Sequence, residues 1–281
     1  MSSPVTGAAA GITINTAAKD LSYLFGTAVG ESTVTLDWEG TDIESTQMST
    51  SGVKMQQHTS GLKACRVNFT GFYPRASRPL GISSLITYAS GNVLFAHDLD
   101  IGIEWPEEEI TSFTGATGNY KKFMPGGIGS WGGSFKTLAV DDVNYGTAGL
   151  PTDSGSSGSA ATFKLYEAGA TDPALSGNII ITGVSHPITM AGKQVITNTF
   201  KGSGDLTQAG IGIFATSGTI SRPNWTTGNA GTDDVSVTVQ YASGRTFTGY
   251  AFWTGVRFQS QPNGLIKVTG TLRFSGDVTA A

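Results

Sequence analysis

Apolar and polar residues alternate along much of this chain, a pattern typical of β-strands with one buried face. The clearest run spans residues 98–104, in the order Asp98, Leu99, Asp100, Ile101, Gly102, Ile103 and Glu104. We expect its three large apolar side chains to pack into a core and its polar side chains to face water. This pattern and runs of β-branched residues predict ten strands, at residues 32–38, 63–73, 93–103, 132–139, 161–166, 177–186, 193–201, 235–241, 248–258 and 265–274.

Three segments lack strand patterning and are predicted to be long loops, at residues 39–61, 106–130 and 141–159. Loops longer than about 12–15 residues in a compact domain are usually functional or mobile. Short helices are alternatives at three further places, residues 17–25, 80–88 and 138–150.

The back half of the chain contains one pattern twice. Two motifs, Thr182-Gly183-Val184 and Ser203-Gly204-Asp205-Leu206-Thr207, recur 72 positions later (182 to 254) as Thr254-Gly255-Val256 and Ser275-Gly276-Asp277-Val278-Thr279. At the same offset four apolar positions align: Phe163 with Val235, Leu165 with Val237, Ile196 with Val268, and Phe200 with Leu272. A constant offset of this kind predicts a repeated β-unit.

The front half contains a second, weaker repeat. Val34-x-Leu36-x-Trp38 resembles Ile101-x-Ile103-x-Trp105 at an offset of 67 positions (38 to 105), and Phe69 aligns with Phe135 at one position less. The order along the chain is therefore front, front, back, back. This order predicts an all-β protein in which an inserted domain, residues 91–210, interrupts a discontinuous domain of residues 1–90 and 211–281.

Charge excludes one class of function. The 281 residues include 39 glycines, only 14% are charged, and the net charge is −4. Because the chain has no run of Lys or Arg, we expect no tight binding of nucleic acid. Residues 91–210 carry 6 Lys/Arg against 12 Asp/Glu, whereas the outer segments carry 11 against 9. This difference either steers unlike copies together or is ordinary surface charge.

A single cysteine, Cys65, excludes an internal disulfide and fits a reducing compartment. Its place in an alternating run predicts a small buried residue. The chain has no run of about 18 apolar residues, and its first residues lack the features of a secretory signal. We therefore expect neither a membrane span nor export.

Candidate catalytic and metal-binding groups are few. The three histidines, His58, His97 and His186, are far apart in sequence and have no partners at metal-ligand spacing. The densest carboxylates are Asp98-x-Asp100 and Glu107-Glu108-Glu109. Paired carboxylates suit glycoside hydrolysis or Ca²⁺ binding, but a solvated strand and a solvated loop explain both groups better. No catalytic residue, metal or cofactor is predicted.

The five tryptophans could bind a ligand or fill a core. Trp38, Trp105 and Trp253 lie in or at the end of predicted strands, which favours a core or interface role. Trp225 is the best candidate for an exposed aromatic ring.

Residues 101–207 contain a series of motifs in fixed order: Trp105, Glu109-Ile110-Thr111-Ser112-Phe113, Tyr120-Lys121-Lys122-Phe123-Met124-Pro125-Gly126-Gly127, Ser130-Trp131-Gly132-Gly133-Ser134-Phe135, Phe163-Lys164-Leu165-Tyr166, Ser176-Gly177, Thr182-Gly183-Val184, and Phe200-Lys201-Gly202-Ser203-Gly204-Asp205-Leu206-Thr207. In this order and spacing the segment resembles the tail tube proteins of long-tailed bacteriophages. The outer copy keeps the strand pattern but has Gln57-His58-Thr59-Ser60-Gly61 in place of the Pro-Gly-Gly turn.

The resemblance implies two β-sandwich or partial-barrel domains, each with a short flanking helix, whose sheets join edge to edge around a channel. It implies rings that stack through the long loop at residues 107–127, and less securely through residues 39–61. The residues of the first loop to which an inter-ring role is carried over are Thr111, Ser112, Phe113, Tyr120, Lys121, Lys122, Phe123 and Pro125. A duplicated chain would close a homotrimeric ring with pseudo-sixfold symmetry.

In this interpretation the protein belongs to the virion and is assembled in the host bacterial cytoplasm. Its partners would be other copies of itself and three further tail components, the tape measure, tail terminator and distal tail proteins, while double-stranded DNA would pass without tight binding. The polar side chains Asp98, Asp100 and Glu104 are candidates for the channel lining, with bulk solvent as the alternative.

Other functions stay open at this point. A carbohydrate-binding or adhesin-type β-sandwich would use exposed aromatics such as Trp225 and the Asp98-x-Asp100 pair. A glycosidase would use carboxylates near residues 107–109. Another tube-like tail component, such as a distal tail or tail-completion protein, would share the predicted fold.

Overall fold

Strands with one buried face account for the regular structure of this chain. The computed structural model describes residues 11–14, 19–20, 32–44, 58–72, 85–88, 91–92, 97–111, 120–126, 129–138, 158–164, 174–187, 194–209, 218–219, 235–260 and 266–281. Within these ranges the chain is all-β, as predicted. The strands are β1 (Gly11–Ile14), β2 (Lys19–Asp20), β3 (Thr33–Glu44), β4 (His58–Phe72), β5 (Leu85–Tyr88), β6 (Gly91–Asn92), β7 (His97–Glu104), β8 (Glu107–Glu109), β9 (Phe123–Pro125), β10 (Ser130–Leu138), β11 (Ser159–Lys164), β12 (Ala174–Ser185), β13 (Val195–Ala209), β14 (Gly218–Thr219), β15 (Val235–Ala242), β16 (Arg245–Ser260) and β17 (Lys267–Ala280).

All ten predicted strands are present, but several boundaries were wrong. β3 continues to Glu44 and β4 begins at His58, so both strands extend into the predicted loop at residues 39–61. β13 runs on to Ala209 because a bulge lets it continue past the polar Ser-Gly-Asp motif. The remaining strands were missed because most have only two to four residues, too few to show a period.

None of the helix predictions is confirmed in the described residues. Residues Leu85–Tyr88 form a strand, so the short helix considered at residues 80–88 is wrong there. No helix occurs in the described parts of the chain, so a flanking helix in each domain is not observed. Most of residues 17–25 and 138–150, the other helix candidates, lie outside the described ranges.

Fifteen strands form one antiparallel sheet, and β8 and β9 form a separate two-stranded ribbon. The large sheet contains two sets of seven strands in the same spatial order. We call them the outer set, β2-β1-β15-β16-β17-β4-β3, and the inner set, β6-β5-β11-β12-β13-β10-β7. The division into an inserted and a discontinuous domain is still a prediction, and β5, at residues 85–88, pairs with β11 of the inner set.

The two sets meet on β16. One edge of this strand is covered by β17 over nearly its whole length. The other edge pairs first with β15, up to Ala251, and then with β7, from Gly255 to Ser260. Because β7 is the last strand of the inner set, this pairing makes the two sets one continuous sheet.

Strand register shows that the 72-residue repeat is structural. Ile181 lies opposite Phe200 on β12 and β13, and Trp253 lies opposite Leu272 on β16 and β17, each residue shifted by 72. Both hairpins also change register at two equivalent places, after Gly177 and Gly249 and after Ile181 and Trp253.

The repeated motifs mark these irregularities. Gly204 and Gly276 have φ angles of 78° and 86°, a backbone conformation that favours glycine. At the other shift, Thr182 and Thr254 are the extra residues of β-bulges, and each hydroxyl donates across the hairpin, to the carbonyl of Thr199 at 3.3 Å and of Thr271 at 3.4 Å. The motifs recur because a bulge needs particular residues, whereas the strands between need only apolar ones.

Two of the sequence alignments were wrong in register. Phe163 pairs with Leu175 in the inner set, and Val239 pairs with Phe247 in the outer set. Leu175 and Phe247 are equivalent in the 72-residue repeat. Phe163 therefore corresponds to Val239 and not to Val235. The alignment failed because equivalent paired residues are 12 positions apart across the β11–β12 connection (163 to 175) but only 8 apart across the β15–β16 connection (239 to 247).

The second error concerns the tryptophans. Gly71 of β4 lies opposite Val268, and Thr137 of β10 lies opposite Ile196. Because Ile196 and Val268 are equivalent in the 72-residue repeat, Gly71 is equivalent to Thr137, and β4 and β10 correspond at an offset of 66. Cys65 is thus equivalent to Trp131. Their partners in the next strands are Trp38 and Ile103, so Trp38 corresponds to Ile103 and not to Trp105.

The core lies on one side of the sheet and confirms most burial predictions. Leu99, Ile101 and Ile103 are buried, and so are Cys65, Trp105 and Trp253. Burial raises the pKa of the Cys65 thiol to about 12. Trp38, expected in the core or at an interface, does not lie in the core, since it is 43% exposed. Its ring contacts Phe247 of β16 edge-on, with centroids 5.7 Å apart, which shows that the outer set curls like a partial barrel.

The two sets fill one core position from opposite strands. In the inner set the Trp131 ring covers Gly202 and Gly177, where a Cβ would overlap the indole. In the outer set the equivalent residues are Cys65, Phe274 and Gly249, and the Phe274 ring covers Gly249. The inner set thus has a large residue on β10 and a small one on β13, whereas the outer set has a small residue on β4 and a large one on β17. The total side-chain volume at this core position is retained.

We predict that Gly270→Ala destabilises the protein by about 1–3 kcal/mol, because its new methyl group would overpack the core. A Cβ there would lie 2.5 Å from the Phe69 ring and 2.6 Å from the Trp253 ring. Gly40→Ala is the matched control, since no atom lies within 4 Å of its Cβ position. Chemical denaturation measures both, and equal stability of the two variants would contradict this packing.

Candidate functional site

The predicted long loop at residues 107–127 contains a β-ribbon that lies between β7 and β10 of the inner set along the chain but packs on the outer set. β8 pairs with β9, with Glu108 opposite Met124. Lys121 then joins two strands of the outer set: its N–H donates to the Lys63 carbonyl at 2.7 Å, and its carbonyl accepts from the Gly276 N–H at 3.0 Å. The base of the loop is thus part of the hydrogen-bonded sheet.

Phe123 anchors the ribbon. Its ring is buried in a small cluster with Ala64 and Phe252, and the guanidinium of Arg273 lies 3.9 Å from the ring centroid, a cation–π contact. The Phe123 N–H donates to the Ser275 hydroxyl at 3.0 Å, and this hydroxyl donates to the Phe123 carbonyl at 2.7 Å. Both polar groups of this backbone are therefore satisfied.

A charge network lies beneath the ribbon. Glu107 accepts a hydrogen bond from Arg66 at 2.5 Å, and its second carboxylate oxygen lies 3.6 Å from Nε of Arg273. Arg273 also donates to Glu39 at 3.1 Å, and this bond holds the pKa of the Glu39 carboxyl below its usual value. Because Arg273 is almost fully buried, the carboxylates from β3 and β8 are needed to balance its charge.

Most of the residues predicted to join stacked rings make hydrogen bonds or packing contacts within their own chain. The Tyr120 hydroxyl donates to the Val278 carbonyl at 3.3 Å, and the Thr111 hydroxyl accepts from the Lys122 N–H at 3.0 Å. Lys121 and Phe123 are held as described above, Pro125 pairs with Glu107 in the ribbon, and Ser112 and Phe113 lie outside the described residues. Their inter-ring role stays a prediction.

Sequence reasoning missed several residues that hold this ribbon. Arg66, Arg273 and Ser275 are 41 to 166 positions from their partners in it. The equivalence of Ser275 with Ser203 was visible in the repeat, but nothing in the sequence linked either residue to the loop.

The face of the sheet opposite the main core is polar where the ribbon does not cover it, and we call this uncovered part the polar face. It carries the predicted channel-lining residues. Asp100 accepts two hydrogen bonds from Arg257, at 2.7 and 2.6 Å, and one from Gln259 at 3.2 Å. This pairing raises the pKa of Arg257. Asp98 pairs with Lys136 at 3.0 Å, whereas Glu104 is exposed. Two of the three carboxylates are thus balanced by neighbouring cations.

A shallow groove of about 340 Å³ crosses the polar face beside these residues. Its lining combines apolar surface with hydroxyl and amide groups, chiefly those of Thr33, Thr35, Asn68, Thr70, Thr269 and Thr271, and Glu104 and Arg257 lie at one side. Such groups form hydrogen bonds but supply no activated nucleophile.

The remaining chemical candidates do not assemble. Glu109 pairs with Lys121 at 3.0 Å, which lowers the pKa of Glu109, whereas a glycosidase acid needs a raised one. In the described residues no three His, Cys, Asp or Glu side chains cluster as metal ligands. His186 is exposed and bonds to Gln194 at 3.1 Å, and Trp225 lies outside the described ranges.

Several strand edges, including those of β2, β6 and β14, have no partner strand among the described residues, and two further open edges are equivalent to those joined at the β16–β7 junction. β11 pairs with β12 only as far as Ile179, and no described strand pairs with the same edge from residue 180 to 185. β3 pairs with β4 on one edge and with no described strand on the other. Each edge carries an exposed apolar side chain, Val184 on β12 and Trp38 on β3. Open edges of this kind are templates for pairing with another chain.

Comparison with known proteins adds no family. The chain matches no protein-family model, and a search of curated proteins finds no similar sequence. In the portion that the structure describes, no helix is long and apolar enough to cross a membrane.

We predict that Glu107→Gln loosens the ribbon, because it removes the charge that balances Arg66 and Arg273. The expected cost is roughly 1 kcal/mol, since Glu107 and Arg66 are partly exposed and Glu39 still balances the buried Arg273. Hydrogen exchange at the Lys121 and Gly276 amides, which bond across the ribbon base, measures the change. The control is Glu104→Gln on the polar face, and equal protection of these amides in both variants would argue against the network.

We predict that the Glu109–Lys121 pair stabilises the folded protein at neutral pH but not in strong acid. The pKa of Glu109 is lowered from 4.5 in the folded state, so its contribution is present above that value and is lost as pH falls through the lowered pKa. Wild type should exceed Glu109→Gln in Tm at pH 7, by the equivalent of less than about 1 kcal/mol, and the difference should vanish near pH 2. A difference that persists in acid would refute the assignment.

Proposed function

We propose that this protein is a structural virion protein that assembles with copies of itself into stacked rings, forming the tail tube of a long-tailed bacteriophage. The tube would be a passive conduit for DNA during ejection. The observation that supports this proposal best is the edge-to-edge junction of β16 with β7, which joins two equivalent strand sets in one sheet. The described residues leave the equivalent edges open at β12 and β3.

A junction that joins unlike edges can repeat. The same contact made between chains is heterologous, so it generates a ring if the rotation closes and a filament if it does not. Closure would remove both open edges and the risk of uncontrolled strand pairing. With two sets in each chain, three chains would give the six sets of a pseudo-sixfold ring, a number that rests on the resemblance to tail tube proteins.

The polar face suits the lining of a DNA conduit. Its groove presents hydroxyl groups, its Asp100–Arg257 pair is neutral, and Glu104 adds negative charge. A lining that mixes hydroxyl groups with charges of both signs would not hold phosphates tightly, so DNA could slide. In this proposal Asp98, Asp100 and Glu104 face the channel.

The ribbon would connect stacked rings. Its base is fixed on the outer set, while Ile110 and Met124 are exposed on its free side. A fixed base directs the connecting segment at residues 112–119, which the sequence predicts to be loop. Proposed partners at the ends of the tube are the tail terminator and distal tail proteins, with the tape measure protein inside it.

A sugar-binding β-sandwich is the second candidate. The hydroxyl-lined groove favours it, because such groups can hydrogen-bond to a sugar. Saturable binding of a glycan by a monomer, abolished by Asn68→Ala, would support this function in place of the conduit.

We predict that the purified chain at high concentration forms hollow tubes or rings with three-fold or pseudo-sixfold symmetry in end-on views by negative-stain electron microscopy. Replacing residues 112–119 with two glycines should leave rings but prevent tubes, because ring closure does not use this loop. The control is insertion of two glycines at residues 243–244, a turn in the outer set. A chain that sediments as a monomer at every concentration would contradict the proposal.

A further inference from the structure

The internal junction between β16 and β7 has a defined register. Val256 lies opposite Ile103, and each of these side chains is only 3% exposed. The Trp105 N–H donates to the Thr254 carbonyl at 3.0 Å, which aligns the end of β7 with the bulge in β16. A matched apolar pair and backbone hydrogen bonds therefore form this junction.

The same two positions exist on the open edges. Thr182-Gly183-Val184 repeats Thr254-Gly255-Val256, with the same bulge and the same threonine hydrogen bond, so Val184 is equivalent to Val256. On β3, Trp38 is equivalent to Ile103 by the strand pairings given above. Val184 is 41% exposed and Trp38 is 43% exposed. The two members of a buried pair thus recur as two exposed apolar residues on two open edges.

We propose that β3 of a second copy of this chain pairs antiparallel with the open edge of β12 in the register of the internal junction. Val184 then lies opposite Trp38 of the second copy. This inference rests on the proposed self-assembly and assigns the contact that would produce it. Continuity with the internal junction is the argument for a second copy as the occupant.

The backbone of the β12 edge suits this pairing. The Thr254 carbonyl points to β7, and in an antiparallel strand every second residue directs its N–H and C=O to the same side. The equivalent residues on β12 are Thr182, Val184 and, just past its end, His186. Pro187, which lacks an N–H, falls on the alternate positions and removes no bond from the new junction.

Charge distinguishes the two junctions. The internal one contains the Arg257–Asp100 ion pair, whereas the equivalent positions, Ser185 and Thr35, are neutral. On β3, Asp37 and Glu39 already have partners in their own sheet, Asp37 with Asn68 and Glu39 with Arg273. The contact between copies should therefore depend weakly on salt.

Disulfide trapping tests the register. In a Cys65→Ala background, a Trp38→Cys chain is mixed with a Val184→Cys chain under mild oxidation at an assembling concentration. Opposed Cα atoms lie about 4.5–5.5 Å apart, within the range of about 4.4–6.8 Å that a disulfide needs. We expect a covalent dimer from the mixture, none from either chain alone, and longer covalent oligomers when one chain carries both substitutions.

The register control uses Leu36→Cys in place of Trp38→Cys, mixed with the same Val184→Cys chain. Leu36 and Val184 would lie opposite each other if Trp38 were equivalent to Trp105, as the sequence suggests. In the proposed register they are diagonal neighbours, about 7–8 Å apart. We expect at least tenfold less dimer from it. Ile103→Cys with Val256→Cys in one chain is the positive control, because it should close within the chain at any dilution.

A second variant tests the surface without cysteine chemistry. Val184→Asp places a charge opposite the Trp38 ring and should weaken self-association at least tenfold in sedimentation, while the fold is kept because Val184 is exposed. The matched control is Tyr250→Asp, at an apolar residue 55% exposed on β16, which should associate as wild type does.

The outcomes separate this inference from the proposed function. Tubes or rings without the 38–184 dimer, or with more 36–184 dimer, would overturn the register and leave the conduit standing. A 38–184 dimer without tubes would support the junction and count against stacking into a conduit. A monomer that neither cross-links nor assembles would overturn both.

Discussion

The structure depends on the hydrogen-bonding requirement of one strand edge, that of β16. Buried backbone N–H and C=O groups must be paired, and β15 satisfies this edge only as far as Ala251. β7 takes the remaining part, from Gly255 to Ser260, and so attaches the inner set to the outer set. Without this contact each set would be a small curled sheet with open edges, and neither the shared core nor the polar face would be continuous.

Equivalence between the two sets is kept in geometry more than in residue identity. Bulges at Thr182 and Thr254 recur because the extra residue and its hydroxyl bond fix the local register. The core between them tolerates exchange, as when Trp131 over Gly202 is replaced by Phe274 beside Cys65. Packing constrains total volume, whereas a bulge constrains the backbone, so only the bulges are conspicuous in sequence.

The carboxylates that the sequence offered as candidates for catalysis or metal binding join segments of the chain in this structure. Asp100 ties β7 to β16 through Arg257, and Glu107 ties the ribbon to β4 and β17 through Arg66 and Arg273. Both carboxylates are already bound by cations, which suits attachment of chain segments better than proton transfer. The site that is left is a set of surfaces: a polar face, an anchored ribbon and two open edges.

The sequence by itself determined the all-β class, the ten longer strands, the buried face of residues 98–104 and the 72-residue repeat, because alternation and constant offsets are local properties of a chain. Only the tertiary structure decided that β7 pairs with β16, that Trp38 is exposed and equivalent to Ile103, and that Arg273 lies beneath Phe123. These facts join residues up to about 160 positions apart, and a pairing over that distance is chosen by edge hydrogen bonds and packing, which leave no periodic signal in either strand.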